Sequence, residues 1–148
     1  MPSPTPENAV PNAFPATLVF VAALVAITAP AYAANPMELL RGYEASARAA
    51  SPSYAGSSAE RGSRLFRTPQ GGEWSCATCH GETPTGTGRH ARTNKAIQPL
   101  APATNPERFS DTAQVEKWFR RNCNDVLGRE CTPGEKADVL AWLITLKP

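Results

Sequence analysis

The sequence predicts an all-α fold of short helices joined by long loops, and three observations predict it. Capped segments with apolar residues at helical spacing recur at 35–50, 58–67, 111–122 and 132–146. No strand leading into a βαβ pattern accompanies them. Residues 81–106 are rich in Gly, Thr, Pro and Asn and read as one long loop, which a compact domain tolerates only when something other than its own secondary structure fills the centre.

A chain of 148 residues accommodates one domain of ordinary size. Its beginning is of another kind. Ala16 to Thr28 reads ATLVFVAALVAIT, uncharged and apolar, and small residues follow at Ala31 and Ala33, the pattern of a secretory signal covering 1–33 and cut after Ala33. The run is shorter than the roughly 20 apolar residues of a membrane span. The preceding MPSPTPENAV has no Lys or Arg and carries Glu7, unlike the basic start of most such signals. The expected division is therefore a signal at 1–33, a helix and linker at 34–57, and the main domain at 58–148. Of the 15 Lys and Arg none precedes the cut, and of the 13 acids only Glu7 does, so the exported chain is expected to carry a small positive charge. Cations and acids are interspersed, with no basic tract beside aromatic platforms, which excludes a nucleic-acid partner.

The elements follow in order. Asn35 caps the first helix, with Pro36 in its first turn and Glu38 nearby. SPSYAGSS (51–58) is a linker by composition. In SAERGSRLFR (58–67), Leu65 and Phe66 share a face with Gly62; a glycine inside a helix costs up to about 1 kcal/mol against Ala, so its presence implies that another backbone comes close. Ser110 or Asp111 caps DTAQVEKWFRRN, where Val115, Trp118 and Phe119 fall on one face. Thr132, Pro133 and Glu135 open the last helix as a capping box with proline in its first turn, and Val139, Leu140, Trp142, Leu143, Ile144 and Leu146 follow.

Residues 76–80 read CATCH. Two thiols separated by two residues, with histidine next, form the attachment signature of c-type haem. Cys76 and Cys79 add to the vinyl groups as thioethers, and His80 then lies where its imidazole binds iron. A thioredoxin-like pair would need a βαβ unit, and a zinc site made of the four cysteines lacks paired short spacings. One covalent haem c also explains the long loop, because a flat apolar cofactor becomes the core that loops wrap. With GSRLF before the motif (Gly62, Phe66) and ADVLAWLITLK at the end (Trp142), the chain resembles the class I cytochromes c, which implies that the helix before the haem crosses the last helix at a glycine and an aromatic contact.

The second axial ligand is the open question. No methionine follows residue 37; Met1 leaves with the signal and Met37 lies near the new N-terminus. His90, in GTGRHARTNK, is a candidate ligand, or else a solvated loop histidine or a propionate partner. EKWFRRNCNDVLGREC (116–131) offers others. Cys123 and Cys131 remain after haem attachment, close in sequence and in an oxidising compartment, and read as a disulfide. That bridge would pin the end of the third helix at Asn122, although Asn122 or Asn124 also reads as a helix C-cap. Arg120 and Arg121 either stabilise bound anions or propionates or form a solvated face.

The segment IQPLAPATNPERFSDTAQVEKWFRRNCNDVLGRECTPGEKADVLAWLITLK, within a match that runs from about Ala59 to Lys147, resembles the small periplasmic monohaem proteins of the sphaeroides haem protein (SHP) family. The resemblance implies His80 as the proximal ligand, Asn122 as an axial ligand that depends on oxidation state, with Asn124 as a second possible amide, and a Cys123–Cys131 disulfide. It also implies a dihaem cytochrome c and a membrane b-type cytochrome as electron donors. An amide oxygen is a hard, weak-field donor that favours ferric iron, so reduction is expected to release it and leave room for O₂, NO or CO. The expected function is a periplasmic high-spin cytochrome c that accepts electrons and binds or reduces a small oxygen or nitrogen species. The alternative is a six-coordinate, low-spin electron carrier with His90 as ligand.

Overall fold

The computed structural model describes residue 1 and residues 35–148, so the expected signal at 1–33 and its cleavage point lie outside the described residues. Five helices carry the fold: α1 (Pro36–Ala50), α2 (Ala59–Arg67), α3 (Cys76–His80), α4 (Thr112–Leu127) and α5 (Pro133–Thr145). A two-stranded antiparallel hairpin, β1 (Gly88–Arg89) and β2 (Ala96–Ile97), and a 3₁₀ turn at Pro106–Phe109 lie between α3 and α4. The all-α expectation holds.

The helix starts follow the caps. Asn35 Oδ1 accepts from the Glu38 N–H at 2.9 Å and Ser58 Oγ from the Arg61 N–H at 3.2 Å. Thr132 and Glu135 cap each other, with Pro133 opening α5. Asp111, and not Ser110, caps α4, accepting from the Gln114 N–H at 3.0 Å, because the Ser110 hydroxyl donates to the Glu107 carbonyl and closes the 3₁₀ turn.

α5 is the central element, packed against α1 and α2. Leu140 and Ala137 are fully buried on it, and Phe66 of α2 is almost so. At the α2–α5 crossing Gly62 lies against the Asp138 backbone so tightly that a Cβ would overlap the carbonyl group. Phe66 and Trp142 pack next to it with ring centroids 4.9 Å apart. The crossing inferred from one interrupting glycine is therefore present. Asp138 also takes the Arg61 guanidinium through two bonds of 2.8 Å and the Ser58 N–H at 2.7 Å, so the beginning of α2 is fastened to α5. α1 buries Leu39, Leu40, Tyr43 and Ala47, and Tyr43 meets Phe119 of α4 edge-on at 5.8 Å.

Two expectations are corrected. α4 does not end at Asn122: it continues to Leu127 and stops at Gly128, whose φ of 69° is the left-handed conformation that glycine adopts freely. Neither Asn122 nor Asn124 is a C-cap, and the Asn124 side chain instead donates back to the Arg120 carbonyl at 2.7 Å within the helix. The stretch expected as a single loop contains the β1–β2 hairpin and the start of the 3₁₀ turn. Gly88 in β1 packs on the end of α3, where a Cβ would overlap the Cys79 carbonyl and lie 3.0 Å from the His80 Cα.

Candidate haem site

Ser75 opens α3 with its N–H donating to Thr78 Oγ1 at 3.0 Å. One turn of helix then puts Cys76, Cys79 and His80 on the wall of one cavity of about 440 Å³. Both thiols are free. Burial pushes the Cys76 thiol up to about 11. The same effect, with a smaller contribution from the Arg108 guanidinium, holds the His80 imidazole down to about 4. At neutral pH the chain therefore presents a protonated Cys76 thiol and a neutral His80 imidazole, the form that has a lone pair to give a metal. Phe66 and Leu143 line the cavity from α2 and α5, Val115 and Phe119 from α4. Two free thiols and a neutral imidazole in an apolar cavity of cofactor size are the donor set and the shape that covalent haem requires.

The other predicted residues separate clearly. Asn122 and Cys123 lie on the wall of the same cavity. Asn124 does not line it, its amide being spent on the helix backbone. Cys123 is bonded to Cys131 with Cα atoms 5.6 Å apart, so the bridge expected from leftover cysteines is present; it ties the last turn of α4 to the start of α5. Met37 is exposed on α1, away from the cavity. Arg120 stays off the cavity wall, while Arg121 lines it and its guanidinium lies 5.6 Å from the centre of the Trp118 ring.

His90 also lines the cavity, at the end of β1. Its Nδ1 accepts from two backbone N–H groups, of Arg92 and Thr93, both at 3.3 Å. A ring nitrogen that accepts carries no proton, so the proton of the neutral ring sits on Nε2 and leaves that nitrogen without a lone pair. The turn thus holds His90 in the tautomer of a donor rather than of a metal ligand through Nε2.

Several cavity residues escaped sequence reasoning, Trp118, Trp74 and Arg108 among them. Trp118, expected on the core face of α4, is 38% exposed and borders the cavity. Trp74 lines it beside Ser75. Arg108, in the 3₁₀ turn, reaches the cavity half-buried and has no salt-bridge partner among the described residues; burial lowers its pKa. The neighbouring Phe109 gave only a short apolar signal in a loop.

A family described as a domain of unknown function (DUF1924) matches residues 52–143. The cytochrome c-type protein SHP of Cereibacter sphaeroides is 50% identical over 129 residues, covering 84% of this chain and 95% of the relative. This chain belongs to the SHP family of c-type cytochromes. Like the other members it carries one covalent haem c. Cytochrome c'' of Methylophilus methylotrophus is 42% identical over 115 residues, covering 75% of this chain and 80% of that protein. Two solved structures agree with the fold. Oxidized SHP, described as an oxygen-binding cytochrome c, gives a TM-score of 0.67 at 52% identity, over 75% of this chain and 96% of that one. Oxidized cytochrome c'' gives 0.69 at 40% identity, over 77% and 96%. The SHP-family placement agrees with a fold whose helices meet at Gly62 and whose cavity is closed by α3, α4 and α5.

Proposed function

We propose that this chain is a periplasmic high-spin c-type cytochrome, exported by a signal cut after Ala33, that accepts electrons and binds or reduces a small oxygen or nitrogen species. The haem, when bound, supplies an iron that exchanges one electron and takes a small ligand. Cys76 and Cys79 would hold it through thioethers, and His80 would give its imidazole nitrogen to the iron. Asn122 would offer its side-chain oxygen as a second protein ligand. The amide is a hard donor, suited to the ferric state and weakly held in the ferrous one. Reduction would therefore weaken the hold of Asn122, and its NH₂ group would then be available as a hydrogen-bond donor to a small ligand in the cavity. Electrons come from a dihaem cytochrome c and, behind it, a membrane b-type cytochrome.

The observation that carries this reading is the presence of Asn122 on the same cavity wall system as both thiols and His80, next to a cysteine bonded to Cys131. Further support comes from relatives: SHP is described as oxygen-binding, and the solution structure of cytochrome c'' was interpreted in terms of haem-ligand detachment. The competing low-spin carrier needs His90 Nε2 as a ligand, and the two N–H groups aimed at Nδ1 oppose that. Rapid CO binding to the ferrous protein, with a high-spin ferrous spectrum beforehand, is the expected result. A low-spin ferrous spectrum with slow CO uptake would overturn the proposal in favour of the carrier.

A further inference from the structure

α4 carries the proposed axial ligand, yet it makes little close backbone contact with the helices of the core. The tightest packing joins α5 to α1 and α2, and α4 comes near chiefly to the 3₁₀ turn at Pro106–Phe109. Side chains hold α4 to the core instead, at two places on either side of Asn122. One is the Cys123–Cys131 bridge, which follows it directly. The other lies one and two turns before it and centres on Lys136 of α5.

Lys136 Nζ donates to Glu116 Oε2 of α4 at 2.7 Å. Its side chain is only 13% exposed, whereas that of Glu116 is 42% exposed. The ammonium lies 5.6 Å from the centre of the Tyr43 ring of α1 and 5.9 Å from that of Phe119 of α4. Tyr43 in turn meets Phe119 edge-on at 5.8 Å. A lysine ammonium is strongly hydrated and gives up its water only against a carboxylate or an aromatic face, and here three helices supply both. None of Tyr43, Glu116 and Lys136 lines the haem cavity. Phe119 does, and Asn122 lines it one turn further along the same helix. A shift of Phe119 is therefore a shift of the helix turn that bears Asn122.

We infer that Tyr43 and Lys136 are positioning residues of the iron site: they hold Phe119 and Glu116, and so fix α4 at the setting from which Asn122 serves as a ligand. The inference rests on the Asn122 reading proposed above and adds the remote residues that set it. The two anchors divide the task. The bridge fixes the helix after Asn122, and the cluster around Lys136 fixes it before.

The test uses the ferric holoprotein, with azide as the probe, in stopped flow and EPR. Tyr43→Leu removes the edge-on ring. Lys136→Met keeps much of the apolar stem and removes the charge, leaving the half-exposed Glu116 to water. Arg61→Gln, which loosens the α2–α5 tie off the cavity wall, controls for a general loss of stability. Tyr43→Leu and Lys136→Met are expected to move the ferric absorption and EPR spectra toward those of Asn122→Ala and to speed azide binding by about threefold or more. Lys136→Arg, which keeps the charge, is expected to return both readouts toward the wild type. Arg61→Gln is expected to lower the urea midpoint and leave both unchanged. In an Asn122→Ala background the two substitutions are expected to add nothing to the azide rate, because the residue through which they act is gone. The same acceleration in that background as in the wild type would overturn the inference, since the cluster would then only restrict access to the cavity. So would an equal effect of Arg61→Gln. A changed ferric spectrum in Asn122→Ala but in neither Tyr43→Leu nor Lys136→Met refutes the inference alone, whereas an unchanged spectrum in Asn122→Ala refutes the ligand reading and the inference with it.

Discussion

The carbonyl group of Asp138 occupies the space that a Cβ on residue 62 would need. This contact sets how near α2 comes to α5, and with it the position of Phe66 against Trp142. Gly62→Ala gains up to about 1 kcal/mol of helix propensity, but overpacking of a tight contact costs about 1–3 kcal/mol. Because the obstacle is backbone and not a flexible side chain, the overpacking cost is expected to win. Urea unfolding of the holoprotein should show a lower midpoint; a higher one would mean that the helices separate freely.

Covalent attachment should depend on Cys76 and Cys79. With both replaced by Ala, no haem is expected to stay with the chain on a denaturing gel stained for haem. A persistent stain would refute the assignment of these two thiols.

The second axial ligand is tested by three variants. Asn122→Ala is expected to change the ferric absorption and EPR spectra and to speed binding of azide, because the amide no longer has to be displaced. Asn124→Ala should leave the ferric spectrum as it was, its side chain being bonded to the Arg120 carbonyl. His90→Ala should leave both oxidation states high-spin or low-spin as in the wild type. If His90→Ala alone makes a slow ferrous protein fast toward CO, the ligand is His90.

Removing the Cys123–Cys131 bridge acts on stability and on the site together. Closing so short a loop contributes about 2–3 kcal/mol by chain entropy. Cys131→Ser is expected to lower stability by about that amount, read by denaturant unfolding, and to broaden the ferric EPR signal as Cys123, next to Asn122, loses its tie to residue 131. A narrow, unchanged signal would show that α4 holds Asn122 without the bridge.

Acid should weaken the start of α5. The Arg129 guanidinium bonds both oxygens of Glu135, at 2.7 and 2.8 Å, and holds its carboxyl below the ordinary carboxylate range; burial works in the opposite direction, and the Thr132 N–H adds to the lowering. A carboxyl with a depressed folded pKa contributes stability that is present above its unfolded pKa and lost as pH falls through the folded one. Melting temperature should therefore fall with acidification through that window, and Glu135→Gln should flatten this part of the profile. An equally steep profile in the variant would assign the acid sensitivity elsewhere.

What could be read without coordinates was local. Asn35, Ser58 and Thr132 announce their helices because a cap uses one side chain and a backbone N–H a few residues on. Gly62 announced a distant contact because a helix otherwise has no use for it. The end of α4 was missed because asparagine signals a cap only when its backbone leaves the helix, and Asn124 bonds back into it. The hairpin was invisible because strands of two residues have no alternation to detect. The His90 tautomer depends on a turn that brings two N–H groups to one nitrogen, and no spacing rule encodes it. The motif named the haem cysteines at once, whereas Trp74 and Arg108 carry no motif and joined the site only through the path of the chain.

The fastening of Arg61 to Asp138 spans 77 residues of sequence. Every contact of this kind requires a long loop to close, at an entropic cost that rises with the logarithm of its length. The two halves of the crossing therefore meet only once almost the whole chain is present. Until the final helix is made, Phe66 lacks its Trp142 partner and Arg61 its carboxylate, so a chain truncated before Ala137 is left with the apolar face of α2 uncovered.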